Sequence, residues 1–291
     1  DNARAVRNYG VALFRQAEAM ERAAPGLPPV KRDDIMEDVR AQKKQAMGFL
    51  KRSVELDPED EEGHNTYAKG LAKTGRPELA EKHYIRALRL TGSTHMGALT
   101  GLAALYSDQG KLEEATKYLR HAIALKPDEY AAHIEMGIVL DRLGRPEEAI
   151  EYLKSGLALR PSLSQIRFHI GRMHAQLNRP AEAARWFAEE LRLTPGNLEA
   201  RFNYAVCLSG MRRGRKAREE LRDVLRQAPE SPRVLVALAW LLATCPDPEV
   251  RDGPEATDLA GQACEKTQFN DPNALAALAV AHAETGRWES A

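Results

Sequence analysis

Pro127, Pro161, Pro195 and Pro229 follow one another at intervals of 34 residues, and Ala115, Ala149, Ala183 and Ala217 keep the same interval. Two unrelated residue types on one period mean that the chain is built from copies of one supersecondary unit. Such a unit cannot bury its apolar face alone, so neighbouring copies must stack. The repeat therefore overrides the expectation of two domains that 291 residues would otherwise suggest.

Each position within the period has a physical reason. Met136-Gly137 is followed by Gly144-Arg145-Pro146-Glu147-Glu148-Ala149, Tyr152-Leu153 and Leu159-Arg160-Pro161. A small residue at the eighth slot (Gly137, Gly171, Ala205) and alanine at the twentieth (Ala46, Ala80, Ala115, Ala149, Ala183, Ala217) let a first helix approach a second closely. Gly75, Gly110, Gly144 and Gly286 fall where a helix C-terminus favours positive φ. Pro77, Pro146 and Pro180 open the next helix, where a missing N–H costs nothing. The proline at the thirty-second slot then stops it.

This pattern resembles the tetratricopeptide repeat and covers essentially the whole chain. The resemblance implies an all-α fold: an α-solenoid of stacked antiparallel helix-turn-helix repeats wound into a right-handed superhelix. Five units are expected at 61–95, 96–129, 130–163, 164–197 and 198–231. An atypical unit precedes them at 1–60; a variant unit with a longer inter-helix loop follows at 232–271, and a partial one at 272–291.

In the first unit Gly10 and Ala46 lie 36 residues apart, against 12 for Gly137 and Ala149. The extra stretch, within 17–45, predicts a loop at 24–29 and a long helix capped by Asp33-Asp34 and running to Leu56. It reads as a cap for the first repeat or a hairpin projecting toward a neighbour. In the sixth unit five residues are inserted around Pro246–Gly253, and Leu238–Pro246 resembles a variant of the repeat found in bacteria. The chain begins at Asp1 and stops at Ala291 halfway through a helical pair, so a segment of a longer protein is expected. Bacterial cytoplasm and, after removal of a leader, periplasm are both compatible with it.

No arrangement of side chains points to chemistry. The 42 basic and 42 acidic residues cancel, which removes bulk attraction to nucleic acid or anionic membrane. The longest apolar run, 234–245, is too short to span a bilayer. Gly70–Arg76 has the glycine spacing of a phosphate loop, but Arg76-Pro77 replaces the lysine and hydroxyl that such a loop needs. His169 and His174 are five apart, off the i, i+4 face of a helical zinc pair, while His64 and His133 are expected to pack between helices. Cys207, Cys245 and Cys264 form no C-x-x-C pair and are expected to be free thiols. The pairs Glu113-Glu114, Glu147-Glu148 and Glu189-Glu190 read as solvated acids on second helices. The basic run 211–218 could dock an acidic partner, or be an ordinary inter-helix turn. No cofactor, no metal and no enzymatic activity is expected.

The resemblance implies that first helices line a concave face, with the second, fifth, ninth and twelfth slots pointing into it. Those slots are small and polar early, as in Glu62, Asn65, Lys69 and Ala72, then Gly97, Thr100, Ala104 and Ser107. Later they become apolar: Ile134, Ile138, Phe168, Phe202, Val206, Val236 and Trp240, with Arg172, Glu135, Asp141, Glu199 and Arg233 as a polar rim. A face so patterned predicts a groove for a protein or peptide partner with apolar anchors, an amphipathic helix or an extended segment. Neither the carboxylate-clamp pattern of chaperone-binding members nor the asparagine ladder of sugar-transferase members is present. The chain is expected to be an interaction scaffold. Alternatives are a recruiting segment of a larger enzyme or assembly protein, and self-association. No nucleic-acid binding and no direct membrane insertion are expected.

Overall fold

The computed structural model describes residues 2–26 and 28–286, and among them it contains fifteen α-helices and no strand. The chain divides into two compact units, residues 1–159 and 160–291. The first holds α1 (Asn2–Ala23), α2 (Pro29–Leu56), α3 (Glu61–Lys73), α4 (Pro77–Leu90), α5 (Met96–Asp108), α6 (Leu112–Leu125), α7 (Tyr130–Arg142) and α8 (Pro146–Leu159). The second holds α9 (Ile166–Gln176), α10 (Pro180–Leu193), α11 (Leu198–Gly210), α12 (Gly214–Gln227), α13 (Pro232–Thr244), α14 (Gly253–Lys266) and α15 (Pro272–Glu284). Within each unit consecutive helices pair, and the pairs stack as a helical solenoid.

The small slots set the pairing distance. Ala46, Ala80, Ala115, Ala149, Ala183, Ala217 and Ala256 have no exposed surface at all. Opposite them, a Cβ on Gly137 would come within 2.6 Å of the Leu153 side chain, and one on Gly171 within 2.8 Å of the Phe187 ring. In these two pairs a large side chain lies on a bare backbone. Gly144 ends the α7 turn with φ of 72°, as a left-handed terminus favours, whereas Arg212 takes φ of 58° at the equivalent turn after α11, a less comfortable choice for a residue with Cβ.

A second recurring device was not foreseen. The carbonyl of the proline closing one unit accepts a hydrogen bond from the fourth-slot side chain of the next. His64 Nε2 donates to Pro58 at 3.0 Å, His133 Nε2 to Pro127 at 2.8 Å, Arg167 to Pro161 at 2.9 Å and Arg201 to Pro195 at 3.0 Å. Without it those carbonyls would lack an intrachain partner at the inter-repeat corner.

At His64 the bond also fixes the tautomer. With Nε2 donating, neutral His64 leaves Nδ1 as an acceptor for the His83 Nδ1–H, 2.8 Å away. Burial, and then the proximity of His64, holds the His83 pKa below its ordinary 6.5. The unfolded chain therefore binds a proton here more readily than the folded one. This contribution to stability is complete above pH 6.5 and declines as the pH falls through the lower, folded value. Urea midpoints measured between pH 6.5 and about 5 should fall less steeply for His83→Gln than for the wild type.

The extra residues of the first unit mostly lengthen its helices. α1 has 22 residues and α2 has 28, against 14 in α4, and only 24–28 remain between the two. The expected cap at Asp33-Asp34 is not used: α2 starts at Pro29, because Pro28 is held extended with ψ of 148° and a proline at the first helical position sacrifices no hydrogen bond. Lys43 bridges to Glu21 at 2.7 Å across the pair.

Two further expectations are corrected. α9 begins at Ile166 rather than near Ser164, after Gln165 in the left-handed region with φ of 68°. Glu190, expected to be solvated, is wholly buried at the end of α10, where its carboxylate accepts from the Gln165 amide at 3.3 Å and the Asn197 side chain at 3.4 Å. It lies between the starts of α9 and α11, where helix dipoles favour an anion.

The basic run and the sixth-unit insertion turn out to be one feature. Arg215 pairs with Asp247 at 2.8 Å and Glu249 at 2.7 Å, and Arg218 donates to the Glu249 carbonyl at 2.7 Å. Val250 is fully buried beneath these pairs, and Asp252 caps α14 by accepting from the Glu255 amide at 3.0 Å. Two of the five basic side chains of the run, Arg215 and Arg218, are thus engaged by the chain's own acidic loop.

Candidate functional site

In the second unit the α11 and α13 side chains expected to face a partner, but not those of α9, converge on one groove of about 850 Å³ between α11, α13 and α15. Phe202 and Val206 come from α11, and Val236 and Trp240 from α13. They share a wall because positions four apart on a helix lie on one face. Val206 is 45% exposed and Trp240 44%. Asp271, Asn273 and Ala276 close the third side. Asn273 and Ala276 were missed by the sequence reading, although they are the second and fifth slots of the last unit and the same rule reaches them.

Phe202 does not stand as a free anchor. It is only 7% exposed, with the Arg233 guanidinium 4.1 Å over its ring. Arg233 in turn binds Glu199 at 2.7 Å, so ring, cation and carboxylate form a stacked rim. Phe168 lies outside the groove, half-buried, with its ring centroid 5.8 Å from that of Phe187. Arg172 is exposed on α9. Ile134 and Ile138 belong to the first unit: Ile138 is 36% exposed, while Ile134 packs against Gly156. Of the eight expected residues, four therefore meet in this groove.

The clefts of the first unit differ in character. One, of about 410 Å³, is lined by Arg7, Phe14, Glu18, Glu62, Lys69 and Lys73. His95 donates Nε2–H to Glu62 at 3.2 Å while its Nδ1 accepts from the Ala98 amide, and this, with bonds from Asn65 and Thr66, holds the Glu62 carboxyl down at about 2. Another, of about 490 Å³, is floored by Tyr84, whose ring fills the space left by Gly101 and whose burial pushes its pKa up to about 12.

Among the described residues no group of three or more His, Cys, Asp or Glu is placed to hold a metal ion, and no helix is long and apolar enough to cross a membrane. The three cysteines are unpaired and buried, and burial raises the Cys207 thiol to about 11, away from the reactive thiolate.

The fold defines a helical-repeat protein of the interaction-scaffold class. The chain belongs to the tetratricopeptide repeat family: four models of that repeat together match residues 61–241 and 272–291. Solved structures are similar to it. YrrB, reported as a tetratricopeptide protein with an unusual peptide-binding site, is 25% identical, with a TM-score of 0.58 over 65% of this chain and 96% of its own. PilF of Pseudomonas aeruginosa is 17% identical, with a TM-score of 0.60 over 80% of this chain and 97% of its own. PilW, a type IV pilus biogenesis factor, is 19% identical, with a TM-score of 0.54 over 67% of this chain and 88% of its own. The last two share the fold. No curated protein matches the chain in sequence.

Proposed function

We propose that the chain acts by binding, not catalysis, and that the groove between α11, α13 and α15 receives a partner segment with apolar anchors. The observation carrying this reading is the exposure of Val206 and Trp240 side by side in a groove that no other part of the described chain fills. Aromatic side chains in such positions dominate recognition energies. The Arg233–Glu199 pair and Asn273 supply a polar rim that orients a backbone or polar flank. The reported peptide-binding site of YrrB supports the same use of a related fold.

Phe168 and Phe202 support the core, so alanine there would confound folding with binding. Val206 and Trp240 are better probes. In pull-downs from the native source, Trp240→Ala and Val206→Asp should retain full helicity and lose partner recovery by about thirtyfold in affinity, the scale of a lost aromatic anchor. Undiminished recovery by both variants would reject the groove.

A further inference from the structure

Away from that groove, a cleft of about 500 Å³ opens between α2 and the end of α3. Five cationic side chains converge on it: Arg40, Lys43, Lys44 and Lys51 from α2, and Arg76 from the turn after α3. Positions 40, 44, 47 and 51 repeat at three and four residues, which sets them in one stripe along the helix. Met47 and Tyr67 form the apolar floor, and no carboxylate lines the cleft.

Two of the cations have acidic neighbours. Lys43 pairs with Glu21, and Lys51 with Glu55 at 3.5 Å, an exposed pair of little strength. Arg40, Lys44 and Arg76 have no ion pair among the described residues. Like charges gathered over an apolar floor repel one another and focus a positive potential, which an anionic ligand relieves.

The geometry favours one class of ligand. Asp33, Asp34, Glu37 and Asp38 precede the stripe on the same helix and would oppose a flat anionic membrane. Tyr67 is only 8% exposed, leaving no aromatic platform on which a base could stack. From Arg40 to Lys51 the stripe runs about 16 Å at a rise of about 1.5 Å per residue, the length of about five extended residues. We propose that this cleft docks an extended acidic segment of a partner protein, independently of the apolar groove.

Fluorescence anisotropy with a labelled hexaglutamate peptide tests this. Saturable binding is expected that weakens with added salt and falls at least about tenfold in Arg40→Gln/Lys44→Gln and in Arg76→Gln. All three residues are exposed, so circular dichroism should be unchanged. Lys82→Gln/Lys117→Gln, which removes charge outside the cleft, and Trp240→Ala, in the other groove, should leave the affinity within about twofold. Absence of saturable binding, or equal binding by the cleft variants, overturns the proposal. So does engagement of phosphatidylserine vesicles or a single-stranded oligonucleotide through these residues when hexaglutamate does not bind.

Discussion

Phe187→Ala lowers the unfolding free energy by about 3–5 kcal/mol, the range for emptying a fully buried aromatic site. Phe187 has no exposed surface, and its ring lies against the bare backbone of Gly171. Glycine has no side chain with which to fill the void, so the cavity term persists where a leucine neighbour could have relaxed into it. Phe168, half-buried beside it, loses its wall as well. Phe187→Leu keeps most of the volume and should recover more than half of the loss. Because neighbouring repeats stabilise each other mainly through shared interfaces, the deficit should concentrate in the second unit, where amide exchange of α9 and α10 would report it. A change below about 1 kcal/mol by urea denaturation would mean that the α9–α10 pair is not held by this ring.

Gly214→Ala loosens the inserted loop from α12. A methyl group at this first helical position would collide with the Cys245 sulfur and come within ordinary contact of Val250. In an otherwise ordinary helix, alanine would be preferred to glycine, so any loss must come from this collision. Overpacking of this kind costs about 1–3 kcal/mol. The loop should then open more often, weakening the Arg215–Asp247 and Arg215–Glu249 pairs, and tryptic cleavage at Arg251 should accelerate about tenfold for each 1.4 kcal/mol of local destabilisation. Cys245→Ala in the same chain removes the sulfur and should restore resistance. If the double variant is cleaved as fast as Gly214→Ala, the sulfur contact is not what holds the loop.

These two sites differ in how they could be read from the sequence. Gly171 and Phe187 belong to slots that recur every 34 residues, and the recurrence carries the packing rule with it. The same regularity made the groove slots legible: Phe202, Val206, Val236 and Trp240 lie along one wall because their spacing puts them on one face of α11 and of α13. The docking of the inserted loop has no such signal. Arg215 and Asp247 are 32 residues apart and belong to no shared pattern. Only when the loop folds back does Arg215 find the carboxylates of Asp247 and Glu249.

Burial was the least legible quantity. Glu190 stands beside Glu189 in the sequence, yet one is enclosed between the starts of α9 and α11 and the other is exposed. A rotation of about 100° per residue separates them, and no property of glutamate distinguishes the two. Phe202 likewise reads as an open anchor until Arg233 is found lying over it.

The sequence alone determined the helical-repeat fold, the pairing of helices through Gly137, Gly171 and the buried alanines, and the set of side chains able to line a groove. These are local and periodic consequences of helix geometry, repeated often enough to be unambiguous. The tertiary structure decided which of those side chains are covered and which remain open, where charges find partners, and how α2 and Arg76 assemble a cationic cleft. Those outcomes depend on contacts between residues distant in the chain, and a period of 34 describes only what each unit does in common with the next.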